Sequence, residues 1–323
     1  MASGAATAAR GAAVPLALRL RERLDRLTKP RGSLGVLEDL AVQIGTVLES
    51  EQPRLRDPQM LVFAADHGIA DDGVSAYPKA VTAQMLANYL RGGAAINVLA
   101  RQHGLALSVV DAGVQGAAGL VGDGAGAASL LSRRIGDGTR NFRLEPAMSP
   151  RQCEAAIAAG RAIAAQRIEA GSNVLLLGEM GIGNTASAAL LLHRLTDWPL
   201  EACVGRGTGV DDAGLRRKLA RLAEAAARRP QPLVAEALLV EFGGFEIAML
   251  VGTMLEAAAR PCLIVVDGFT VSVAALLAER IAPGVVPHCV FSHRSAERAH
   301  DRLLSQLGVR PLLDLALRLG EGS

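Results

Sequence analysis

The stretch NVLLLGEMGIGNTASAALLL, Asn173 to Leu192, decides how this chain is read. A short apolar run of strand character enters a glycine turn, Gly178 to Gly183, and leaves through Asn184-Thr185 into an alanine-rich helical pattern. Free backbone N–H groups at that helix start favour a bound anion. The spacing Gly178-x4-Gly183-Asn184-Thr185 nearly spells a P-loop, but Asn184 stands where the Lys that reaches terminal phosphates is required. A nucleoside triphosphate is therefore a poor fit. Gly181-x-Gly183-x-x-Ala186 also matches the loose dinucleotide fingerprint, although far from the first strand, where that motif usually lies. What remains is one phosphate held by backbone donors and the positive end of a helix dipole, with neither Lys nor metal. A carboxylate in such a turn would repel phosphate, so Glu179 faces a hydroxylated or cationic part of the same ligand. The alternative is a plain strand-to-helix turn with a solvated Glu179.

Working outward, five apolar runs read as buried parallel strands: 60–65, 105–113, 173–178, 262–268 and 285–291. Helix-period segments lie between them at 81–102, 149–169, 184–195, 211–228, 245–259 and 270–281. The fold class is thus α/β, a Rossmann-like parallel sheet with helices on both faces. Residues before 55 carry no strand and read as two helices split by the Pro30 to Gly35 turn. The tail from Ser292 also reads as helical. The expected organisation is an N-terminal helical segment, 1–55, forming a small helical domain with 300–323, beside a large α/β domain, 56–299. Residues 113–148 read as a long Gly-rich connection, of the kind that is functional or mobile.

Composition narrows the function classes. Lys and Arg number 34 against 32 Asp and Glu, a formal charge of +2, and no basic block interleaves with aromatics, so nucleic acid is a poor partner. Cys153, Cys203, Cys262 and Cys289 are scattered through apolar contexts and read as buried free thiols of a reducing, cytoplasmic compartment. The N-terminus MASGAATAARGAAVPLALRLRERL has no continuous apolar core behind basic residues and reads as a disordered leader entering a helix. No membrane span is expected, since even CLIVVDGFTVSVAALLAERI is interrupted by Asp267 and Gly268.

Ligands of open parallel sheets bind at the carboxyl ends of the strands. Every expected strand here is followed by a polar cluster: ADHGIADDGVSAYP, DAGV, GEMGIGNT, DGF and SHRSAE. Their repetition points to one shared crevice. VGRGTGVDDAGLRRK adds Arg206, Thr208 and Lys218 around a second helix start capped by Asp211, although a capped surface helix would read the same way. Asp66-His67 with Asp71-Asp72 suggests a hard-metal site only weakly, because the six histidines show no ligand spacing. No Gly-x-Ser-x-Gly elbow anchors acyl transfer.

Seven ordered blocks carry a family resemblance: KPRGSLGVLE (29–38), ADHGIADDGVSAYPKAVTAQM (65–85), GEMGIGNT (178–185), GRGTGVDDAGLRRK (205–218), DGFTVSVAALLA (267–278), SHRSAE (292–297) and LGEGS (319–323). Together they resemble nicotinate-nucleotide:dimethylbenzimidazole phosphoribosyltransferases, which activate the lower ligand of cobalamin. The resemblance implies that the anion is the 5'-phosphate of nicotinate mononucleotide. It implies nucleotide and phosphate binding by Gly181, Gly183, Asn184, Thr185, Arg206, Gly207, Thr208, Gly209, Lys218, Asp267 and Ser292. Ser75, Tyr77, Gln84 and Leu319 would line the benzimidazole pocket. Glu321 would be the catalytic base and Glu179 would lie beside the ribosyl centre. It also implies a homodimer with small-molecule substrates and no metal or cofactor. Two departures stand out: this sequence stops at Ser323 where the family continues with an apolar, alanine-rich segment, so the expectation is either a truncated chain or a base less firmly held than in relatives. Arg298-Ala299 also stand where a Gly is expected. Two other readings stay open, an inactive azole or nucleotide binder on the same fold and a dinucleotide-dependent oxidoreductase.

Overall fold

The computed structural model describes residues 14–117, 119–120, 128–207 and 209–322. The leader expected before the first helix lies almost wholly outside the described residues. The chain divides into two compact units, Met1–Arg54 and Leu55–Ser323. In the first, helices α1 (Leu16–Asp25) and α2 (Val36–Val47) flank a turn in which Gly32 and Gly35 take φ 72° and 54°, as the Pro30 to Gly35 break predicts. Leu20 fills the space left by the missing side chain of Gly45, and Lys29 pairs with the buried Glu38 at 2.8 Å.

The second unit is built on six strands: β1 (Gln59–Ala65), β2 (Ala106–Gly113), β3 (Ser129–Ser132), β4 (Val174–Met180), β5 (Leu263–Val266) and β6 (Cys289–Phe291). They form one parallel sheet in the order β3-β2-β1-β4-β5-β6. Side chains alternate between two cores. Leu61, Phe63 and Ala65 of β1 enter one, whereas Met60, Val62 and Ala64 enter the other, so both faces must be covered. Helices α3 (Val81–Leu90) and α4 (Ala95–His103) cover the second face through Leu86, Tyr89 and Ile96. The first is covered by α5 (Pro150–Glu169), α6 (Asn184–Thr196), α7 (Leu200–Cys203), α8 (Asp212–Arg228), α9 (Ala235–Phe242), α10 (Phe245–Ala258) and α11 (Phe269–Ile281). Helix α10 is buried almost all round. It crosses α5 closely because Gly160 and Gly252 leave room for backbone; an added Cβ on either would stand 2.0 Å from a carbonyl oxygen of the other helix.

Four expectations need correction. The helix read over 81–102 is two helices, because Gly92 turns left-handed at φ 79° and Asn97 caps the restart, accepting from Ala94 N and donating to Tyr89 O. The connection 113–148 contains the edge strand β3, held to β2 by backbone pairing and a Ser108–Ser129 hydroxyl contact at 2.7 Å. Helix α9 lies between the expected helix-period segments 211–228 and 245–259. The tail is helical only over α12 (His300–Gln306); beyond Pro311 it is irregular, and the N–H groups of Leu312 and Leu313 donate to Phe291 O and Ser292 O at the end of β6. Residues 300–323 belong to the unit Leu55–Ser323.

Candidate active site

In this sheet order the chain reverses direction between β1 and β4, and a crevice opens at such a switch point beyond the carboxyl ends of the strands. There the structure has a cavity of about 650 Å³. One wall is the turn quoted at the outset, Glu179 to Ile182 with Asn184 and Thr185. Gly183 takes φ 97° as the first residue before α6, where a Cβ would press on Ala70 and His67. The opposite wall comes from Asp267–Thr270 after β5, from His293, Ser295 and Glu297 after β6, and from the returning tail, Ala316 to Glu321. Tyr77, Val81 and Met85 close one end.

Three carboxylates face this space, each in a different setting. Glu179, on the rigid end of β4, is 9% exposed; Asn184 Nδ2 donates to its Oε2 and the Thr270 side chain also bonds it. Burial, helped by the negative charges of Glu246 and Asp267, pushes its carboxyl up to about 8. Asp267 is pushed up to about 7 by burial, against the opposing pull of the Gly268 and Gly322 N–H groups. Glu321 is half-buried and burial raises its carboxyl as well. The backbone around it is unusual, with left-handed φ at Gly320 (73°), Glu321 (68°) and Gly322 (79°). A non-glycine residue there costs about 1–2 kcal/mol, a strain held only by surrounding contacts. Those contacts are present: Gly322 N donates to Asp267 Oδ2 at 3.2 Å, and Gly322 lies on the bare backbone of Gly178.

A second glycine turn adjoins the first. Lys218 is 1% exposed, and its Nζ donates to Thr185 Oγ1 (3.0 Å) and Gly205 O (3.1 Å), so it braces the start of α6 from inside. Burial lowers its ammonium to about 8. Glu297 accepts from Gly207 N and feels the Lys218 charge, and a Cβ added at Gly205 would overlap its Oε2.

The structure thus gathers Glu179, Glu321, Asp267, Gly181, Asn184, Thr185, Gly207, Tyr77 and Leu319 on one cavity. Others lie off its wall. Gln84 is exposed, and the next residue, Met85, one turn after Val81, faces inward instead. Ser75 accepts from Tyr77 N; exposed Arg206 pairs with Asp212; Ser292 bonds its neighbour His293, which does reach the cavity. Gly209 lies beside Arg318, and Thr208 lies outside the described residues. Of the five polar clusters, the one after β2 is structural, since Asp111 caps its own turn and pairs with Arg134. The acidic group after β1 also disperses, Asp71 to Lys79 and Asp72 to Arg143. Sequence reasoning missed Met85, Arg318, Glu297 and Thr270. Met85, Thr270 and Glu297 fall inside the blocks 65–85, 267–278 and 292–297, and Arg318 lies one residue before LGEGS.

A family profile described as phosphoribosyltransferase matches residues 12–323. A relative from Ralstonia nicotianae named nicotinate-nucleotide–dimethylbenzimidazole phosphoribosyltransferase is 55% identical over 95% of this chain and 86% of its own. A relative of the same name from Cupriavidus necator is 53% identical over 94% and 86%. The crystal structure of CobT from Thermus thermophilus superposes with a TM-score of 0.88 at 44% identity, covering 95% of this chain and 90% of that one. The chain belongs to the nicotinate-nucleotide:dimethylbenzimidazole phosphoribosyltransferase family.

Proposed function

We propose that the protein moves the 5-phosphoribosyl group of nicotinate mononucleotide to 5,6-dimethylbenzimidazole, giving α-ribazole 5'-phosphate and nicotinate for the nucleotide loop of cobalamin. The observation that carries this reading is that Glu179, on a rigid strand, and Glu321, on a returning tail, line a single cavity beside the Gly181–Thr185 turn. The turn and Gly207 receive the phosphate at the start of α6, with Arg318 nearby as a counter-charge. The flat acceptor sits between Tyr77, Val81, Met85 and Leu319.

In the reaction the C1'–N bond of the pyridinium breaks and its electron pair stays on nicotinate, which leaves as a neutral ring nitrogen without a general acid. Positive charge grows on the ribosyl carbon, and the Glu179 carboxylate stabilises it electrostatically. One azole nitrogen attacks from the opposite face, inverting the β-nucleotide to the α-riboside. Its other N–H loses a proton to Glu321, an assistance worth about 10²–10⁴ in rate. The cationic ring of the nucleotide favours ionised Glu179, so substrate itself draws this carboxyl into its working state.

The reading carries with it a homodimer acting in the cytoplasm. Among the described residues no helix is long and apolar enough to cross a membrane. Incubating the purified protein with both substrates tests the reaction: nicotinate and α-ribazole 5'-phosphate should appear in equal amounts. Nucleotide binding without nicotinate release would overturn it in favour of an inactive binder.

A further inference from the structure

Directly beneath the phosphate turn lies a polar pair that the reaction above does not use. His67 Nε2 stands 2.5 Å from Glu246 Oε1, and both residues are 0% exposed. Among the described residues their outer atoms, His67 Nδ1 and Glu246 Oε2, have no hydrogen-bond partner. Such a pair is costly to bury, so its place needs a reason. Two loops give up side chains for it. A Cβ on Gly244 would meet Glu246 Oε2 at 2.4 Å and His67 Cε1 at 2.5 Å, and one on Gly181 would meet the imidazole at 3.3–3.4 Å. Gly181 is itself part of the cavity wall, next to Met180 and Glu179. The imidazole therefore lies against the turn that receives the nucleotide, on the side where Gly181 carries no side chain.

We propose that His67 and Glu246 form a positioning pair for Glu179: the imidazole binds the Glu246 carboxylate, supports the turn from below and limits the negative charge that faces Glu179. This rests on the transferase reading given above. Glu179 is faced by Asn184 and Thr270, by Asp267 after β5, by the Tyr89 phenol from α3 and by Glu246 from α10, while Asp66 lies beside His67. Of these, Glu246 is the charge whose effect depends on a partner, because a single hydrogen bond to His67 is its only one among the described residues. Its charge also contributes, after burial, to the raised carboxyl of Glu179.

The test reads nicotinate mononucleotide binding, by calorimetry between pH 5 and 9, together with steady-state transfer. Binding of the cationic ring should strengthen as Glu179 ionises, so the midpoint of that rise reports Glu179. Glu246→Gln should move the midpoint down by about one pH unit, since a nearby like charge is removed. His67→Asn should move it up by a similar amount and lower kcat at pH 7 about 10-fold with a smaller change in KM. The double variant should follow Glu246→Gln. Midpoints of Glu246→Gln and the double variant that superpose on wild type would overturn the proposal, even where thermal stability changes. Should His67→Asn fail to fold, those two variants decide. An inactive wild type that still shows the binding shifts would sink the transferase reading while sustaining this one.

Discussion

Replacing Gly178 by Ala tests how the tail carries its carboxylate. Gly178 lies in the middle of β4 opposite Val62, in a conformation open to any residue, so the strand itself accepts Ala. The obstacle is the tail: a Cβ at 178 would stand 2.4 Å from Gly322 Cα and 3.0 Å from Gly322 N and Met60 Cε. The methionine end can swing away, but the backbone of Gly322 must retreat from 2.4 Å to the 3.4 Å of ordinary contact, a shift of about 1 Å. That shift lengthens the 3.2 Å bond from Gly322 N to Asp267 beyond hydrogen-bonding range and displaces the adjoining Glu321. Misplacing a catalytic group by about 1 Å costs roughly 10²-fold in rate. Gly178→Ala should therefore lower kcat about 100-fold. Its melting temperature should change little, since Ala restricts the unfolded chain by about 0.4–1 kcal/mol and offsets the strain. Nucleotide affinity should hold, because the Gly181–Thr185 turn is untouched. Steady-state kinetics with calorimetric binding measures all three. A kcat within about 3-fold of wild type would refute the reasoning, since it would mean that Glu321 does not depend on this packing.

Other outcomes follow from the same geometry. Glu321→Gln should keep azole binding, lose roughly 10²-fold or more in kcat, and lose the acid limb of the pH profile, because a base whose carboxyl is raised by burial stops working as pH falls through its titration. Glu179 and Asp267, raised to about 8 and about 7, keep protons in the fold that the unfolded chain sheds near ~4, so the stability they contribute is full in acid and lost as pH rises through about 7 and 8. Scanning calorimetry of the empty protein should show their stabilisation fading over that window, and nucleotide binding at pH 7 should release protons, seen as a buffer-dependent enthalpy. No buffer dependence would contradict that ionisation of Glu179. Tyr89→Phe removes a fully buried hydroxyl with no partner among the described residues, so the variant should be as stable as wild type or up to about 1 kcal/mol more stable, read from denaturant midpoints.

The sheet was legible because buried parallel strands are continuous apolar runs, and β1, β2 and β4 stand within about two residues of their expected bounds. The strand β3 was not, since SLLS offers two apolar residues inside a glycine-rich connection and gains its order from pairing with β2. Likewise the irregular tail depends on long-range backbone bonds to β6, which local periodicity does not express. In the site, the turn after β4 and the Gly-Glu-Gly block carry their chemistry openly. Which neighbour faces the ligand is a matter of helix phase: Gln84 and Met85 differ by one step, about 100° around the axis, and only Met85 reaches the cavity. Lys218 shows the same limit, since its charge is plain in the sequence but its ammonium turns to Thr185 and Gly205 within the wall.

The central claim, that Glu321 takes the azole proton while Glu179 faces the ribosyl centre, is tested most directly by a crystal structure of the protein with 5,6-dimethylbenzimidazole and a non-hydrolysable nicotinate nucleotide analogue. The account predicts the azole ring between Tyr77, Met85 and Leu319, with its N–H within about 3 Å of a Glu321 oxygen and its other nitrogen directed at C1' beside Glu179. An azole N–H directed instead at Asp267, Glu297 or solvent, with Glu321 turned out of the cavity, would contradict it.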